Sequence, residues 1–333
     1  MVDVLSLADL LDLVAAPAAL PPYSPLASQP FLLISSTNRA APLAASDQAR
    51  IGAWLARQPC PILGLPGSEP VHAACDVVLA HADELTPIIR TIAAAPIAAM
   101  VLVQLLRATE TLSVTAGLSA ESLAYATVQS GPEFRRWLAD RPQRPPDARW
   151  DPGPPVLLET GEAGLEIRLN RPSRWNALSI ELRDALVEAF QLVAADAGIA
   201  RARVTGKGRC FSIGGDLAEF GTTPDPATGH LVRSLRLPAA ALSLCAERVE
   251  FHLHGACIGA GIELPAFAHR VTATRDAFFQ LPELRFGLIP GAGGCISLPR
   301  RIGRRRTAYM ALSGRRITAA RALEWGLIDA IVE

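Results

Sequence analysis

The sequence is short of several features that would assign it at once to a class of protein. Lysine is almost absent, since Lys207 is the only one among 32 basic residues, and basic and acidic residues cancel to no net charge. We interpret the shortage of lysine as a bias of codon usage or lineage. Proteins that bind nucleic acids usually carry a basic excess, so the neutral balance argues against a nucleic-acid partner.

Signals for metal binding, disulfides and membrane insertion are also missing. The six cysteines form no CxxC pair and no spacing typical of a zinc site, which predicts reduced thiols in a cytoplasmic protein without a bound metal. The N-terminus has aspartates where a secretory signal needs positive charge. The most apolar run, residues 92–106, is short for a membrane span and contains Pro96 and Gln104, so we expect a core helix there.

A proline-rich stretch divides the 333 residues. Its prolines remove backbone donors and hold the chain extended, which predicts a linker at 142–155 between an N-terminal region, 1–141, and a second region, 156–333. In the second region strand and helix signals alternate, which predicts parallel strands joined by crossover helices. The N-terminal region is predicted as α/β too, with strands at "PFLLIS" and "CPILGLP" and helical segments after them.

Two glycine-rich segments of the second region are candidates for ligand contact. They are "GKGRCFSIGGDLAEF" at 206–220 and "HGACIGAGIELPAFAHR" at 254–270. Glycine lets the backbone approach a ligand closely, and two converging amides would form an oxyanion hole. Neither segment has the GxxxxGK[ST] or GxGxxG pattern in context, and a GxSxG elbow is missing. The alternative is that both segments are ordinary turns.

Glu263 and Glu283 both lie among apolar and small residues. A buried carboxylate costs several kcal/mol, roughly, unless it is paired or its pKa shifts. One isolated glutamate of this kind would be interpreted as a helix cap or a partner of the helix dipole. Two in the same kind of surroundings favour a shared acid/base site.

Four ordered segments resemble the enoyl-CoA hydratase/isomerase (crotonase) superfamily from about residue 156 to residue 333. They are "LNRPSRWNALS", "GKGRCFSIGGDLAEF", "HGACIGAGIEL" and "FFQLPELRFGLIPGAGGCISLPRRIG". The resemblance implies an α/β fold built as a crotonase-like spiral of ββα units. It also implies an acyl-CoA substrate, no cofactor beyond the coenzyme A of that substrate, and a homo-oligomer, either a trimer or a hexamer.

The resemblance implies roles for individual residues. The backbone amides of Gly215 and Ala260 would bind the thioester oxygen, while Glu263 and Glu283 would share the water that is added to the substrate. A further set would line the coenzyme A channel, or else form ordinary turn and capping structure: Arg174, Ala177, Gly214, Asp216 and Leu217.

Three other features need interpretation. The run "RRIGRRR" at 300–306 would meet coenzyme A phosphates or a neighbouring subunit, or would form a solvated helix face. His252 and His254 precede the second glycine-rich turn, and we interpret them as structural histidines. Pro265 fits only the first turn of a helix, and in any other place it would displace the Glu263 side chain.

The chain ends at Glu333, where members of the superfamily usually continue into a helical tail that covers the active site. Residues 82–142 resemble such a tail, including an "EF..WL..RP" element. Our hypothesis is that region 1–141 is a degenerate crotonase-like unit whose helices take over the covering role. The alternative is an unrelated, alanine-rich accessory domain.

The combination predicts an enoyl-CoA hydratase that adds water to a 2-enoyl-CoA through a stabilised enolate. Alternatives on the same fold are an enoyl-CoA isomerase, an acyl-CoA thioester hydrolase and a cofactor-free oxygenase. A non-catalytic acyl-CoA-binding subunit is an alternative from another class. The sequence does not indicate which acyl group is used.

Overall fold

The computed structural model describes residues 2–16, 23–35, 43–66, 68–142, 151–161 and 164–333. In the N-terminal region three short strands form a parallel sheet in the order β1-β2-β3, and α2 connects the first two. The elements are α1 (Leu7–Ala15), β1 (Leu32–Ile34), α2 (Ala45–Ala56), β2 (Ile62–Gly64) and β3 (Val77–Val78). Helix α1 begins with a capping box, because the Ser6 hydroxyl and the Asp9 carboxylate each bond the backbone N–H of the other.

Four helices follow this sheet: α3 (Leu85–Ala94), α4 (Pro96–Thr109), α5 (Val114–Gln129) and α6 (Pro132–Asp140). The prediction of one continuous core helix over residues 92–106 is wrong, because the chain bends by 108° between α3 and α4. Pro96 has no N–H to continue the helix, and it is instead the first residue of α4. The Glu133 carboxylate accepts hydrogen bonds from Ile97 N–H and Ala98 N–H, so it caps the new helix.

In the described ranges, no single helix is both long and apolar enough to cross a membrane. The bent pair formed by α3, its preceding turn and α4 has enough length and hydropathy only when the two helices are taken together. The apolar faces of this pair are buried against the rest of the protein, as Ile88, Leu102 and Leu106 illustrate.

The second region forms two sheets with helices around them. The larger sheet has the order β12-β9-β7-β6-β5-β4 and the smaller one β11-β10-β8. The strands are β4 (Val156–Gly161), β5 (Gly164–Leu169), β6 (Ala202–Gly206), β7 (Val249–Leu253), β8 (Ala256–Ile258), β9 (Arg270–Thr274), β10 (Phe278–Gln280), β11 (Ile317–Thr318) and β12 (Ala330–Val332). The helices are α7 (Ile180–Ala195), α8 (Pro226–Arg236), α9 (Pro238–Ser243), α10 (Ala260–Glu263), α11 (Gly294–Ile302), α12 (Arg304–Ser313) and α13 (Ala319–Trp325).

Neighbouring strands of the larger sheet are parallel from β5 to β12, and only β4 pairs antiparallel at its edge. Helix α7 crosses from β5 to β6, while α8 and α9 cross from β6 to β7. This is the arrangement that the alternating strand and helix signals predicted. The α/β class is therefore confirmed, whereas the origin of region 1–141 as a degenerate unit stays a hypothesis.

One hydrophobic core extends through both regions. It includes Leu33 and Leu63 of the small N-terminal sheet, Leu102 of α4, and Phe251 and Phe279 of the second region. A second, smaller apolar cluster lies wholly between α1, α2 and the N-terminal sheet. The predicted linker, 142–155, falls mainly on residues 143–150, which lie outside the described residues, and the domain boundaries stay a prediction.

A buried ion cluster also connects the two regions. Asp76 accepts from the guanidinium groups of Arg107 and of Arg304, the latter at 2.9 Å, and from Ile62 N–H. Its side chain is 1% exposed. Arg304 belongs to the basic run that was predicted to meet coenzyme A phosphates, another subunit or solvent. At this position the arginine instead binds a carboxylate of the same chain, Asp76.

Candidate active site

The first glycine-rich segment is held against the end of β8. Gly214 has φ +85°, and a Cβ at this position would lie 2.7 Å from the carbonyl oxygen of Ile258. Its own carbonyl accepts a 2.7 Å hydrogen bond from Leu178 N–H. Only glycine allows this conformation together with so close an approach, so the sequence "GGD" fixes where Gly215 lies.

The second glycine-rich segment turns immediately beside the first. Gly259 has φ +52°, and a Cβ there would lie 3.7 Å from the Cα of Gly214. Ala260 follows as the first residue of α10, where an N–H has no intrahelical acceptor. Within the described ranges, neither Gly215 N–H nor Ala260 N–H donates a hydrogen bond to the protein. The two amides predicted to form an oxyanion hole therefore lie on adjacent loops and are free to donate.

Glu263 ends α10 and is 2% exposed. Its Oε2 accepts hydrogen bonds from Ala292 N–H at 2.8 Å and from Gly294 N–H at 2.9 Å. Burial raises the pKa of Glu263 to about 7, although these amide donors act in the opposite direction. Pro265 does not displace the side chain, because it begins a separate 3-10 turn, Pro265–Phe267.

Glu283 begins a 3-10 turn, Glu283–Phe286, after β10. Its Oε2 is buried and has no hydrogen-bond partner in the described part of the chain. Burial, and next the charge of Glu263, raise the pKa of Glu283 well above its ordinary value. Because burial and a neighbouring carboxylate both disfavour the charged form, Glu283 is placed to hold a proton.

The two carboxyls meet at Gly259. A Cβ at Gly259 would lie 2.7 Å from Glu283 Oε1 and 3.7 Å from Glu263 Oε1, so the two oxygens border the same small space. Two backbone donors on Oε2 favour the ionised form of Glu263, whereas Glu283 Oε2 has no partner in the described part of the chain. Two neighbouring carboxyls whose surroundings separate their pKa values are the usual arrangement of a base and an acid.

Aromatic rings close the site on the side of the first glycine-rich segment. Phe220 Cε1 lies 2.8 Å from the place where a Cβ of Gly215 would be. Phe220 packs against Trp137 of α6, and Trp137 lies 5.1 Å from Phe286, measured between ring centroids. Helix α6 of the N-terminal region therefore contributes to the wall beside the glycine loop.

The residues predicted to line the coenzyme A channel lie together near this loop. Arg174 forms a 2.5 Å ion pair with Asp216, and Asp216 also caps the turn Leu217–Glu219. Ala177 is buried and Leu217 is 42% exposed. Their contact with coenzyme A stays a prediction, since the alternative of ordinary turn and capping structure also explains the ion pair and the cap formed by Asp216.

Asn176 is a structural residue of the site that the sequence interpretation missed. It adopts a left-handed conformation with φ +51°, and its amide donates to the carbonyls of Lys207 and Phe211 while its oxygen accepts from Arg171 N–H. It thus ties the segment 169–179 to the first glycine-rich loop. Asparagine tolerates this conformation better than most residues, which was the available signal.

The histidines beside the site have partners in the protein. His252 Nδ1 lies 3.1 Å from Thr272 Oγ1, and His254 Nε2 lies 3.0 Å from the carbonyl oxygen of Gly208. These contacts fit the structural role expected for both. In the described ranges, no group of three or more His, Cys, Asp or Glu residues is arranged to hold a metal ion.

The second region of the chain is similar to known proteins. The family model for enoyl-CoA hydratase/isomerase matches residues 159–333. This is more than half of the chain, and it contains both glycine-rich loops and both glutamates. The chain therefore belongs to the enoyl-CoA hydratase/isomerase family.

Several named proteins are similar to it. The chain is 36% identical over 177 residues to the 2,3-dehydroadipyl-CoA hydratase of Escherichia coli (strain K12). This alignment covers 52% of this chain and 68% of that protein. It is 34% identical to the 1,2-epoxyphenylacetyl-CoA isomerase of the same organism, over 54% of this chain and 70% of the relative. A crystal structure of enoyl-CoA hydratase from Thermoplasma volcanium GSS1 is 31% identical with a TM-score of 0.50, covering 54% of this chain and 72% of that one.

Proposed function

We propose that this protein is an enoyl-CoA hydratase. The observation that carries the proposal is that Glu263 and Glu283 border the same small space beside Gly259, with the unpaired amides of Gly215 and Ala260 on the adjoining loops. An isomerase needs one group that moves a proton. Hydration needs a base that takes a proton from water and an acid that gives a proton to carbon. The two carboxyls differ in this respect, because backbone donors favour the ionised form of Glu263 and burial favours the protonated form of Glu283.

The reaction follows from this assignment. The thioester oxygen of a 2-enoyl-CoA would accept hydrogen bonds from Gly215 N–H and Ala260 N–H. The Glu263 carboxylate takes a proton from water as the water oxygen bonds to C3, and the C2–C3 π electrons move toward the thioester, so that an enolate forms. The amides stabilise the negative oxygen, and Glu283 then donates its proton to C2. Proton transfer from Glu263 to Glu283 restores the starting state.

Isomerisation of the double bond is the second candidate. It is favoured by the isomerases among the similar proteins, including the 1,2-epoxyphenylacetyl-CoA isomerase of Escherichia coli and a mouse dienoyl-CoA isomerase at 29% identity. Glu283 alone could move a proton between two carbons while the same amides hold the enolate. This candidate leaves the amide-bound Glu263 without a necessary role.

An assay with crotonyl-CoA tests the proposal. Hydration removes the absorbance of the conjugated enoyl thioester and gives 3-hydroxybutyryl-CoA, whereas an isomerase acting on a 3-enoyl-CoA raises that absorbance. We expect the wild type to hydrate crotonyl-CoA, and both Glu263→Gln and Glu283→Gln to lose about 10²-fold or more in kcat. Hydration at the wild-type rate in both variants would eliminate the mechanism.

Three further properties are part of the proposal. The reaction uses no cofactor apart from the coenzyme A of the substrate. The protein is a homo-oligomer, a trimer or hexamer, and exposed apolar side chains such as Leu231, Leu235 and Leu244 support a subunit contact. A reducing compartment such as the cytoplasm is supported by the six cysteines, all buried as free thiols.

A further inference from the structure

A third carboxylate reaches the active-site loop from the N-terminal region. Glu121 lies on α5 and is 1% exposed. Its Oε1 accepts from Gly293 N–H and its Oε2 from Cys295 N–H, both at 2.7 Å. Helix α5 lies outside residues 159–333, the part that the family model matches.

Glu121 and Glu263 bind alternate amides of one short loop. Glu263 takes Ala292 N–H and Gly294 N–H, whereas Glu121 takes Gly293 N–H and Cys295 N–H. Four consecutive amides are thus divided between two carboxylates. Because successive N–H groups belong to one backbone, a shift of the loop away from Glu121 must also move the donors of Glu263.

We propose that Glu121 is a positioning residue of the reaction, which fixes the 292–295 loop so that its amides hold the Glu263 carboxylate in place. The inference rests on the proposed function, because it assigns a supporting role at the same site. It also gives the N-terminal helices a purpose beyond covering the site: they supply an interaction on which the base depends.

The charge of Glu121 has a second effect at the same site. Several titratable groups face it: Glu263, Glu283, Cys295, Arg233 of α8 and Tyr125 of its own helix. Burial raises the pKa of Glu121 to about 8, and above that pH its negative charge contributes to the raised pKa of Glu283, after burial and the charge of Glu263. A neutral residue at 121 removes this contribution, so Glu283 would release its proton at a lower pH.

The test compares Glu121→Gln with a matched control, Glu133→Gln. Glutamine keeps one acceptor oxygen but turns an NH₂ group toward the second amide, so one of the two hydrogen bonds is lost. Glu133 binds Ile97 N–H and Ala98 N–H in the same way, and it is also a buried glutamate on an N-terminal helix. Its carboxylate, however, holds the start of α4 and not the active-site loop.

We expect Glu121→Gln to lower kcat for crotonyl-CoA about tenfold, with KM changed less than about twofold, because the loss affects the position of the base. We also expect the alkaline limb of its kcat/KM profile to move down by about half a pH unit or more. Glu133→Gln should show neither change. Equal losses of kcat in both variants, or an unmoved alkaline limb in Glu121→Gln, would overturn the proposal.

A readout without turnover keeps this test separate from the proposed function. NMR titration of isotope-labelled glutamate carboxyls follows Glu283, whose signal is assigned by its disappearance in Glu283→Gln. If the wild type fails to hydrate crotonyl-CoA, the proposed function fails by itself. A lowered pKa of Glu283 in Glu121→Gln, but not in Glu133→Gln, would still support the link, and an unchanged pKa would refute it.

Discussion

Glu263 and Glu283 border the same small space, which a side chain at position 259 would fill if this residue were not glycine. They enter from different elements, the end of α10 and the turn after β10, and they differ in their donors. Glu263 has two backbone N–H groups, while Glu283 Oε2 has no partner within the described ranges. From this difference follow the assignment of base and acid and the predictions below.

The first prediction concerns the free energy of unfolding as a function of pH. The pKa of Glu121 rises in the folded protein to about 8 and that of Glu263 to about 7, from 4.5, and that of Glu283 rises as well. In the unfolded chain these glutamates have their ordinary pKa of 4.5, so below that pH both the folded and the unfolded chain hold the protons. As the pH rises further the unfolded chain releases them first, so the free energy of unfolding falls, by up to about 1.4 kcal/mol per pH unit and group.

Glu283→Gln removes one of these groups and should lose less stability than the wild type between about pH 5 and pH 8. Urea denaturation at both pH values measures the difference. An identical fall in the variant and the wild type would mean that the pKa of Glu283 is not raised in the folded protein.

The second prediction concerns the first glycine-rich segment, which is proposed to bind the thioester oxygen. Gly214→Ala places a Cβ 2.7 Å from the Ile258 carbonyl oxygen in a conformation with φ +85°, so the backbone must move and Gly215 N–H with it. Loss of one oxyanion donor typically costs about 10²-fold in kcat, and we expect a fall of this order. The control is Gly52→Ala in helix α2, where a Cβ meets nothing within 4 Å.

Gly52→Ala should keep full activity and gain up to about 1 kcal/mol of stability, because alanine favours a helix interior. Steady-state kinetics and thermal melting of both variants provide the comparison. Unchanged kcat in Gly214→Ala would show that the loop does not bind the developing negative charge.

The third prediction concerns the contact between the two regions. Asp76→Ala leaves the guanidinium group of Arg107 buried without its carboxylate, and Arg304 keeps only its pair with the exposed Glu110. Breaking a buried pair in this way costs about 3 to 5 kcal/mol. We expect a loss of this size in urea denaturation.

The matched control for Asp76→Ala is Asp47→Ala, which removes an exposed pair with Arg50. Such surface pairs contribute about 1 kcal/mol or less. Equal losses in the two variants would contradict a structural role for the buried cluster.

The fourth prediction concerns the N-terminal helices. Because α4, α5 and α6 share the hydrophobic core and supply Glu121 and Trp137 near the site, we expect a protein without residues 1–145 to be insoluble or inactive. Expression of this truncated protein, followed by circular dichroism and the crotonyl-CoA assay, tests the expectation. Normal folding and turnover would show that the helices are dispensable.

The sequence predicted the parts of the site whose backbone geometry depends on local residues. Gly214 and Gly259 adopt conformations that glycine favours, and Glu263 and Glu283 lie within a few residues of such turns. Motifs of this kind can be identified without knowledge of tertiary packing. The crossover helices and parallel strands were predicted for the same reason, since the periodicity of apolar residues is a local signal.

The sequence could not predict contacts that depend on packing across the two regions. Glu121 binds Gly293, which lies 172 residues further along the chain. Nothing in the sequence near Glu121 indicates which backbone amides it would contact. The bend at Pro96 had a visible cause in the proline, yet the apolar run favoured one helix. The capping of α4 by Glu133 also depends on a distant contact, because Glu133 lies 36 residues from Ile97.

The most direct test of the central claim is the reaction with crotonyl-CoA in water labelled with heavy oxygen, followed by mass spectrometry of the products. We predict 3-hydroxybutyryl-CoA with the label in the hydroxyl group and the thioester intact, formed by Glu283→Gln about 10²-fold more slowly than by the wild type. Release of free coenzyme A with label in the carboxylic acid, or conversion without label, would contradict the claim.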